Sequence, residues 1–418
     1  MRIISTKTKK KRTFARFITH YTITMNRILG VILLFFVLFP LKAEKYENLQ
    51  LSLLTVDPIP GYVHTIFGHT ALRLNDPDNQ QDIVFNWGTF DFNKPNFTWL
   101  FIKGETDYYL SVREYSYFKY VYAMENVRVT EQILDIPDNQ KAALIAMLQE
   151  NLRPENLEYR YNFIFDNCTS VVRDIIENFC GGTLVYPEKE DKTTFRSLIH
   201  EYTQPHPWAE IGIDFLIGSG ADSLVSVRNE LWLPCKLKDA LNHSYIMEED
   251  GSKRPIVLSS QEVLTADENA GPTPSGWNWP LIVGFLFLAL IIGILFAAHH
   301  KKRRYRFIPA TLFFIAGIGG CIIAITCFIS THPCTWPNWN ILWLHPFHLI
   351  GFAGFFFKRM NRLITWYHRL NFVILAIFLT GWHFIPQELN TGFIPYMLCL
   401  LLLTSILEAD ILKKKIYE

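Results

Sequence analysis

Asn167-Cys168-Thr169-Ser170-Val171-Val172-Arg173-Asp174 is the stretch around which the chain is organised. From Cys168 onward the apolar residues fall at Cys168, Val171, Val172, Ile175, Ile176 and Phe179, the 3.6-residue period of one buried helical face. Asp166 or Asn167 can serve as the N-cap, and Gly181-Gly182 ends the helix. Cys168 is therefore expected in the first turn, on the inward face. There the positive end of the helix dipole and the unpaired N–H groups favour its thiolate. The same helix start, with Asn167 and Thr169 beside the thiol, could hold a developing oxyanion. A lone helix-face cysteine is ordinarily a small buried hydrophobe. What the rest of the chain carries decides between the two readings.

Upstream, Phe67-Gly68-His69-Thr70-Ala71-Leu72-Arg73-Leu74 alternates in part and runs into Asn75-Asp76-Pro77-Asp78-Asn79. This predicts a strand, a hairpin turn and a returning strand over 83–90. His69 and Asn86 can then sit near each other across the pair. A strand histidine alone is ordinarily structural. With a cysteine at a helix start in the same domain it becomes a candidate base, and Asn86 the candidate third group that fixes the imidazole. His64 is the rival base and lies before the strand. Residues 91–130 are rich in Phe, Tyr and Trp, which suits either an acyl-chain lining or a surface resting on a membrane. A further strand is expected over 127–134 and a helix over 139–152. The pattern weakens after Gly182, becomes helical again over 223–246, and ends in a Gly- and Pro-rich linker over 251–276.

The 418 residues allow two or more domains, and a net charge of +1 suggests no nucleic-acid partner. The apolar excess is concentrated after Trp277, where five segments near 278–298, 307–330, 341–357, 366–385 and 391–408 read as membrane spans. Residues 1–43 read as an N-terminal extension and a signal peptide, the latter starting at Met25 and cut near Ala43. If the domain over 44–250 and its linker, 44–276 in all, are exported, the clusters around Lys301-Lys302-Arg303-Arg304, Lys358-Arg359 and Lys413-Lys414-Lys415 all fall inside, and the two outer loops carry no Lys or Arg. That agreement argues for an exported domain on a five-helix membrane domain, 277–418. Seven cysteines include Cys180 and Cys235, which could pair in an oxidising compartment. In the outer loop His332, Trp336 and Trp339, then His345 and His348, are interfacial residues or a site that positions a substrate beneath the soluble domain. Their spacing matches no metal-ligand pattern.

Strand histidine, strand polar residue, then a helix opened by Asn-Cys resembles the permuted branch of the NlpC/P60 papain-like superfamily, with the lecithin:retinol acyltransferase group nearest. The resemblance implies an α+β papain-like exported domain. Phe67-Gly68-His69-Thr70-Ala71-Leu72-Arg73, Asn167-Cys168-Thr169, and spans bearing His332-Pro333 and Trp336-Pro337-Asn338-Trp339-Asn340 resemble the Lnb family of bacterial lipoprotein N-acyltransferases. Membership implies a bacterial inner-membrane enzyme with its catalytic domain on the outer face, Cys168 as nucleophile and His69 as base. It implies a membrane phospholipid as acyl donor, a Cys168 thioester, and the α-amine of a lipoprotein diacylglyceryl-cysteine as acceptor, with no cofactor. Two other classes remain: a cell-wall thiol peptidase or amidase, and a non-catalytic membrane assembly protein in which Cys168 is only core.

Overall fold

The computed structural model describes residues 46, 48–188, 192–267, 276–301, 307–356 and 361–417. The extension and signal peptide expected over 1–43 lie outside the described residues, as do 268–275 of the expected linker and most of the two inner basic loops.

Ten strands are present among them: β1 (Gln50–Val56), β2 (His69–Asp76), β3 (Gln81–Thr89), β4 (Asp107–Glu114), β5 (Val129–Leu134), β6 (Glu158–Arg160), β7 (Thr183–Val185), β8 (Tyr245–Met247), β9 (Lys253–Pro255) and β10 (Val257–Leu264). Seven form one sheet in the order β10-β5-β1-β2-β3-β4-β6, with every pairing antiparallel. The hairpin of β2 and β3 pairs Leu72 with Phe85 and Asp76 with Gln81. The helices of the soluble part are α1 (Phe97–Lys103), α2 (Tyr115–Met124), α3 (Asp138–Asn151), α4 (Cys168–Phe179), α5 (Phe195–Thr203), α6 (Pro207–Leu216), α7 (Val227–Glu230) and α8 (Pro234–Asn242).

Strand alternation sends two side-chain sets to two cores. Leu51, Leu53, Leu72, Leu74 and Phe85 meet Leu144 and Leu148 of α3, Val172 and Ile176 of α4, and Leu237 of α8. Leu54, Val56, Ala71 and Val84 on the other face meet Tyr115 and Phe118 of α2. Each Leu, Ile, Val or Phe among them contributes about 1.5–3 kcal/mol on burial. The helix α4 is thereby fixed flat against β2 and β3 by its apolar stripe, which sets where its first residue ends up.

The linker expected over 251–276 is partly structured. Lys253–Pro255 joins a three-stranded sheet, and Val257–Leu264 forms the edge of the main sheet against β5. A sheet edge with free N–H and C=O groups can recruit a strand whose own sequence shows little periodicity. Cys180 and Cys235 are separate free thiols. Cys180 is buried against the carbonyls of Glu177 and Gly182, whereas Cys235 lies near Asp57.

The membrane part contains α9 (Trp279–His300), α10 (Phe307–Phe328), α11 (His348–Ala353), α12 (Asn361–Thr380) and α13 (Ile394–Tyr417). Three helices among the described residues are long and apolar enough to cross a membrane: Trp279–His300, Phe307–Phe328 and Arg362–Thr380. Thr391–Leu407 is a shorter apolar one. The span expected over 341–357 is not one helix. It is a 3-10 turn, Trp339–Leu342, followed by the six-residue α11. Pro346 interrupts the helix between them, having no N–H to give. Irregular backbone is tolerated at membrane depth only inside protein. Here it is wedged between α10 and α12: Gly320 abuts the His345 backbone, and Gly351 abuts the Tyr367 ring. His348, fully buried, bonds the stranded Trp343 carbonyl through Nε2 at 2.9 Å and the Tyr367 hydroxyl through Nδ1 at 2.6 Å.

Candidate active site at the end of the sheet

Asn167 is the N-cap of α4. Its Oδ1 accepts from the N–H groups of Thr169 (2.9 Å) and Ser170 (2.8 Å), and Ser170 Oγ accepts the Asn167 N–H (2.8 Å) in return. Its Nδ2 donates to the carbonyls of Phe163 (3.0 Å) and Trp232 (2.9 Å). The cap thus fixes Cys168 at the first helical position and ties it to the segments before and after. The oxyanion role expected of Asn167 and Thr169 meets an obstacle here, because the Asn167 amide and the Thr169 N–H are both engaged within the cap. Among the described residues no acceptor takes the N–H of Cys168 itself.

The half-buried thiol overhangs the sheet where β2 begins and β3 ends. Thr70 and Thr169 join their hydroxyls at 3.0 Å, holding α4 to β2. The pairing of β3 with β4 shifts register between Asn86 and Thr89, a bulge that turns on Gly88 at φ +87°. A Cβ at Gly88 would lie 3.5 Å from Cys168 Cβ and 3.9 Å from the Tyr159 hydroxyl oxygen, so the bulge seats the thiol between β3 and β6. Glycine is required there by the backbone angle rather than by space.

His69, at the first position of β2, meets both partners. Its Nε2 lies 3.3 Å from Asn86 Oδ1, and its ring stands close enough to Cys168 for each to shift the titration of the other. With the Nε2–H donated to Asn86, Nδ1 is the nitrogen left for the thiol; that tautomer follows from the partners. Asn86 is itself held by Nδ2 donating to the Val84 carbonyl at 3.3 Å. Burial alone would raise the Cys168 pKa and lower that of His69. The charge of each on the other reverses both, so the thiol is pulled below and the imidazole lifted above its usual range. The Thr70 backbone N–H and the Thr169 hydroxyl, 3.7 Å from Sγ, support the thiolate further. The rival His64 lies apart, among Tyr62, Phe90 and Phe92.

Aromatic residues lead away from the thiol. Tyr161 stacks on Tyr108 at 4.0 Å, Tyr108 meets Phe90 at 4.9 Å, and Phe97 and Phe101 of α1 continue the file. Its last ring is His332 of the membrane domain, 5.3 Å from Phe101 and 5.7 Å from Phe163, with Nε2 on the Phe101 carbonyl. Of the five outer-loop residues read as substrate-positioning, His332 alone is seen against this file. Trp336 is exposed beside Phe328, and Trp339 donates its backbone N–H to Gln387 Oε1. His345 and His348 stack at 4.0 Å inside the membrane domain.

A second polar centre joins the two parts, and no motif announced it. Arg196 of α5, fully buried, pairs with Asp214 and Asp222, each at 2.6 Å, and donates to the Gly218 carbonyl. Asp214 also takes His200 at 3.0 Å and Asn390 of the membrane domain at 2.9 Å. Asn340, Asn338 and Gln387 bond the carbonyls of Asp214, Phe215 and Ile217. His200, Glu210 and Asp214 have ligand atoms within 4.8 Å of one another. With Arg196 and Asn390 on the Asp214 carboxylate, the group is a latch between domains. The one hint in sequence was the 3.6-period face Arg196, Ile199, Thr203, a charge among residues that should be buried.

Residues 39–201 match the family model described as the Lnb N-terminal periplasmic domain, and residues 273–415 match the Lnb transmembrane domain. No curated protein and no solved structure matches the chain.

Proposed function

This chain belongs to the Lnb family, with a periplasmic region and a transmembrane domain, and on that premise we propose that it is a lipoprotein N-acyltransferase of the bacterial inner membrane. The observation that carries the reading is the Cys168–His69–Asn86 group at the start of an aromatic file that ends on the membrane domain. The order of strand histidine before helix cysteine is that of the permuted papain-like enzymes.

His69 Nδ1 takes the proton of Cys168, and the thiolate attacks an ester carbonyl of a membrane phospholipid. On collapse the ester C–O bond breaks, and the imidazolium gives its proton to the lysophospholipid alkoxide. The acyl group is now a thioester on Sγ. The α-amine of a diacylglyceryl-cysteine then attacks the thioester carbon, His69 takes the amine proton, and the thiolate leaves as the amide forms. Asn86 keeps the imidazole in the tautomer that faces sulfur throughout. The acyl chain lies along Tyr108, Phe90 and Phe97, where apolar rings replace water during the life of the thioester. A wall peptidase would need a water-filled groove and no such anchor.

Wild type, Cys168→Ala and His69→Ala are expressed in a strain lacking lipoprotein N-acylation, and lipoprotein N-terminal peptides are weighed by mass spectrometry. A gain of one acyl chain that both variants lose supports the proposal. Released muropeptides would point to a wall hydrolase, and three identical strains to a protein without catalysis.

A further inference from the structure

The phenol of Tyr159 is a buried group with nothing to donate to. Tyr159 stands on β6, opposite Tyr108 of β4, and its side chain packs into the core that holds α4. Its hydroxyl has essentially no exposed surface and no hydrogen-bond partner among the described residues. The Gly88 backbone borders the oxygen, but an N–H there can only donate to it and leaves the phenol proton undirected. A buried donor without an acceptor is destabilising, so its presence calls for an acceptor that arrives in another state.

The place of that hydroxyl supplies one. It and Cys168 Cβ are both within van der Waals reach of the point where Gly88 would carry a side chain, at 3.9 and 3.5 Å. The helix start, meanwhile, has only the Cys168 N–H left to offer, since the Thr169 and Ser170 N–H groups are held by Asn167. A tetrahedral intermediate on Sγ carries a full negative charge on oxygen and is served by two donors.

We infer that Tyr159 is a further catalytic residue whose hydroxyl, with the Cys168 N–H, binds the oxyanion of each tetrahedral intermediate. This rests on the thiol-acyltransferase reading. As the sulfur–carbon bond forms, the carbonyl π pair moves onto oxygen and the Tyr159 O–H hydrogen-bonds it without giving up its proton. The pair returns when the ester C–O bond, or later the C–S bond, breaks. The bulge at Gly88 then has a second purpose, because it opens the space between thiol and phenol in which the oxyanion sits.

The test uses the full-length protein and Tyr159→Phe, which keeps the ring. With p-nitrophenyl butyrate as acyl donor, the p-nitrophenolate burst from Cys168 slows about 100-fold in the variant. The pH profile of Cys168 alkylation by iodoacetamide and the melting temperature stay at wild-type values, which reports an intact thiol–imidazole pair. An unchanged burst rate overturns the inference. So does a slower burst accompanied by an upward shift of the alkylation profile, which would make the phenol a partner of the thiolate, or by a lowered melting temperature, which would make it packing. Absence of any burst in wild type overturns it as well. Because the ester contains neither phospholipid nor lipoprotein, a protein that gives the burst but never takes an acyl chain from phospholipid vesicles refutes the proposed donor and not the role of Tyr159.

Discussion

Two pairs of charge-bearing side chains organise this molecule, one buried and one half-buried, and they differ in how fully they are satisfied. Arg196 and Asp214 have a partner for nearly every donor and acceptor: Asp222, His200, Asn390 and the Gly218 carbonyl surround them at 2.6–3.2 Å. Cys168 and His69 have each other, one amide at 3.3 Å, one hydroxyl at 3.7 Å and a backbone N–H. A saturated buried pair has no valence left for a substrate, and its geometry belongs to the fold. An undersaturated one, at the rim of a sheet and in the first turn of a helix, is open to bond making. The latch bonds the soluble part to the membrane part, and the aromatic file beside the thiol site also ends on the membrane part, at His332.

The contrast breaks first at the thiol. On the proposed function, Cys168→Ala is expected to abolish acylation of lipoprotein N-termini, and His69→Ala to lower it by about 10²–10⁴-fold, the usual worth of a positioned base. Both leave thermal unfolding nearly unchanged, as removal of an undersaturated pair should. At the latch the expected pattern is the reverse. Arg196→Met leaves two carboxylates without their cation and destabilises the protein by about 3–5 kcal/mol, measured by unfolding in detergent. Adding Asp214→Leu recovers part of that loss, since an apolar replacement of both partners is tolerated. If Arg196→Met melts like wild type, the two centres do not differ as described.

Smaller effects sharpen the comparison. Asn86→Ala is expected to free the imidazole to turn and to lower the proposed acyl transfer by about 10²-fold with little change in melting temperature. Cys168 reacts with iodoacetamide at pH values below the ordinary thiol pKa of about 8.5. Its rate falls as pH drops through the lowered pKa, and in His69→Gln the inflection moves back up. An inflection that stays put would mean that the helix start, not His69, sets the thiolate. Asn167→Ala removes the cap and leaves the Trp232 carbonyl without its donor, a loss of about 1–2 kcal/mol seen in unfolding.

The thiol helix, the hairpin that brings His69 beside Asn86, and the apolar helices after Trp277 were legible because each depends on spacing within a short window. Period 3.6, period 2 and uninterrupted apolar length act through near neighbours, and an N-cap acts within three residues. Other features were decided by groups far apart in the chain. The strand Val257–Leu264 exists because β5 offers an edge, and the third membrane segment is broken because Gly320, Tyr367 and the Trp343 carbonyl accept a broken one. That the Asn167 cap consumes the Thr169 N–H, that Arg196 finds Asp214 and Asn390, and that the Tyr159 phenol stands by the thiol are likewise tertiary facts. Local pattern states which residues must hide and which must cap. Only the assembled fold states which hydrogen-bonding groups are already spent and which are left for chemistry, because each buried donor is satisfied by whatever the packing brings to it.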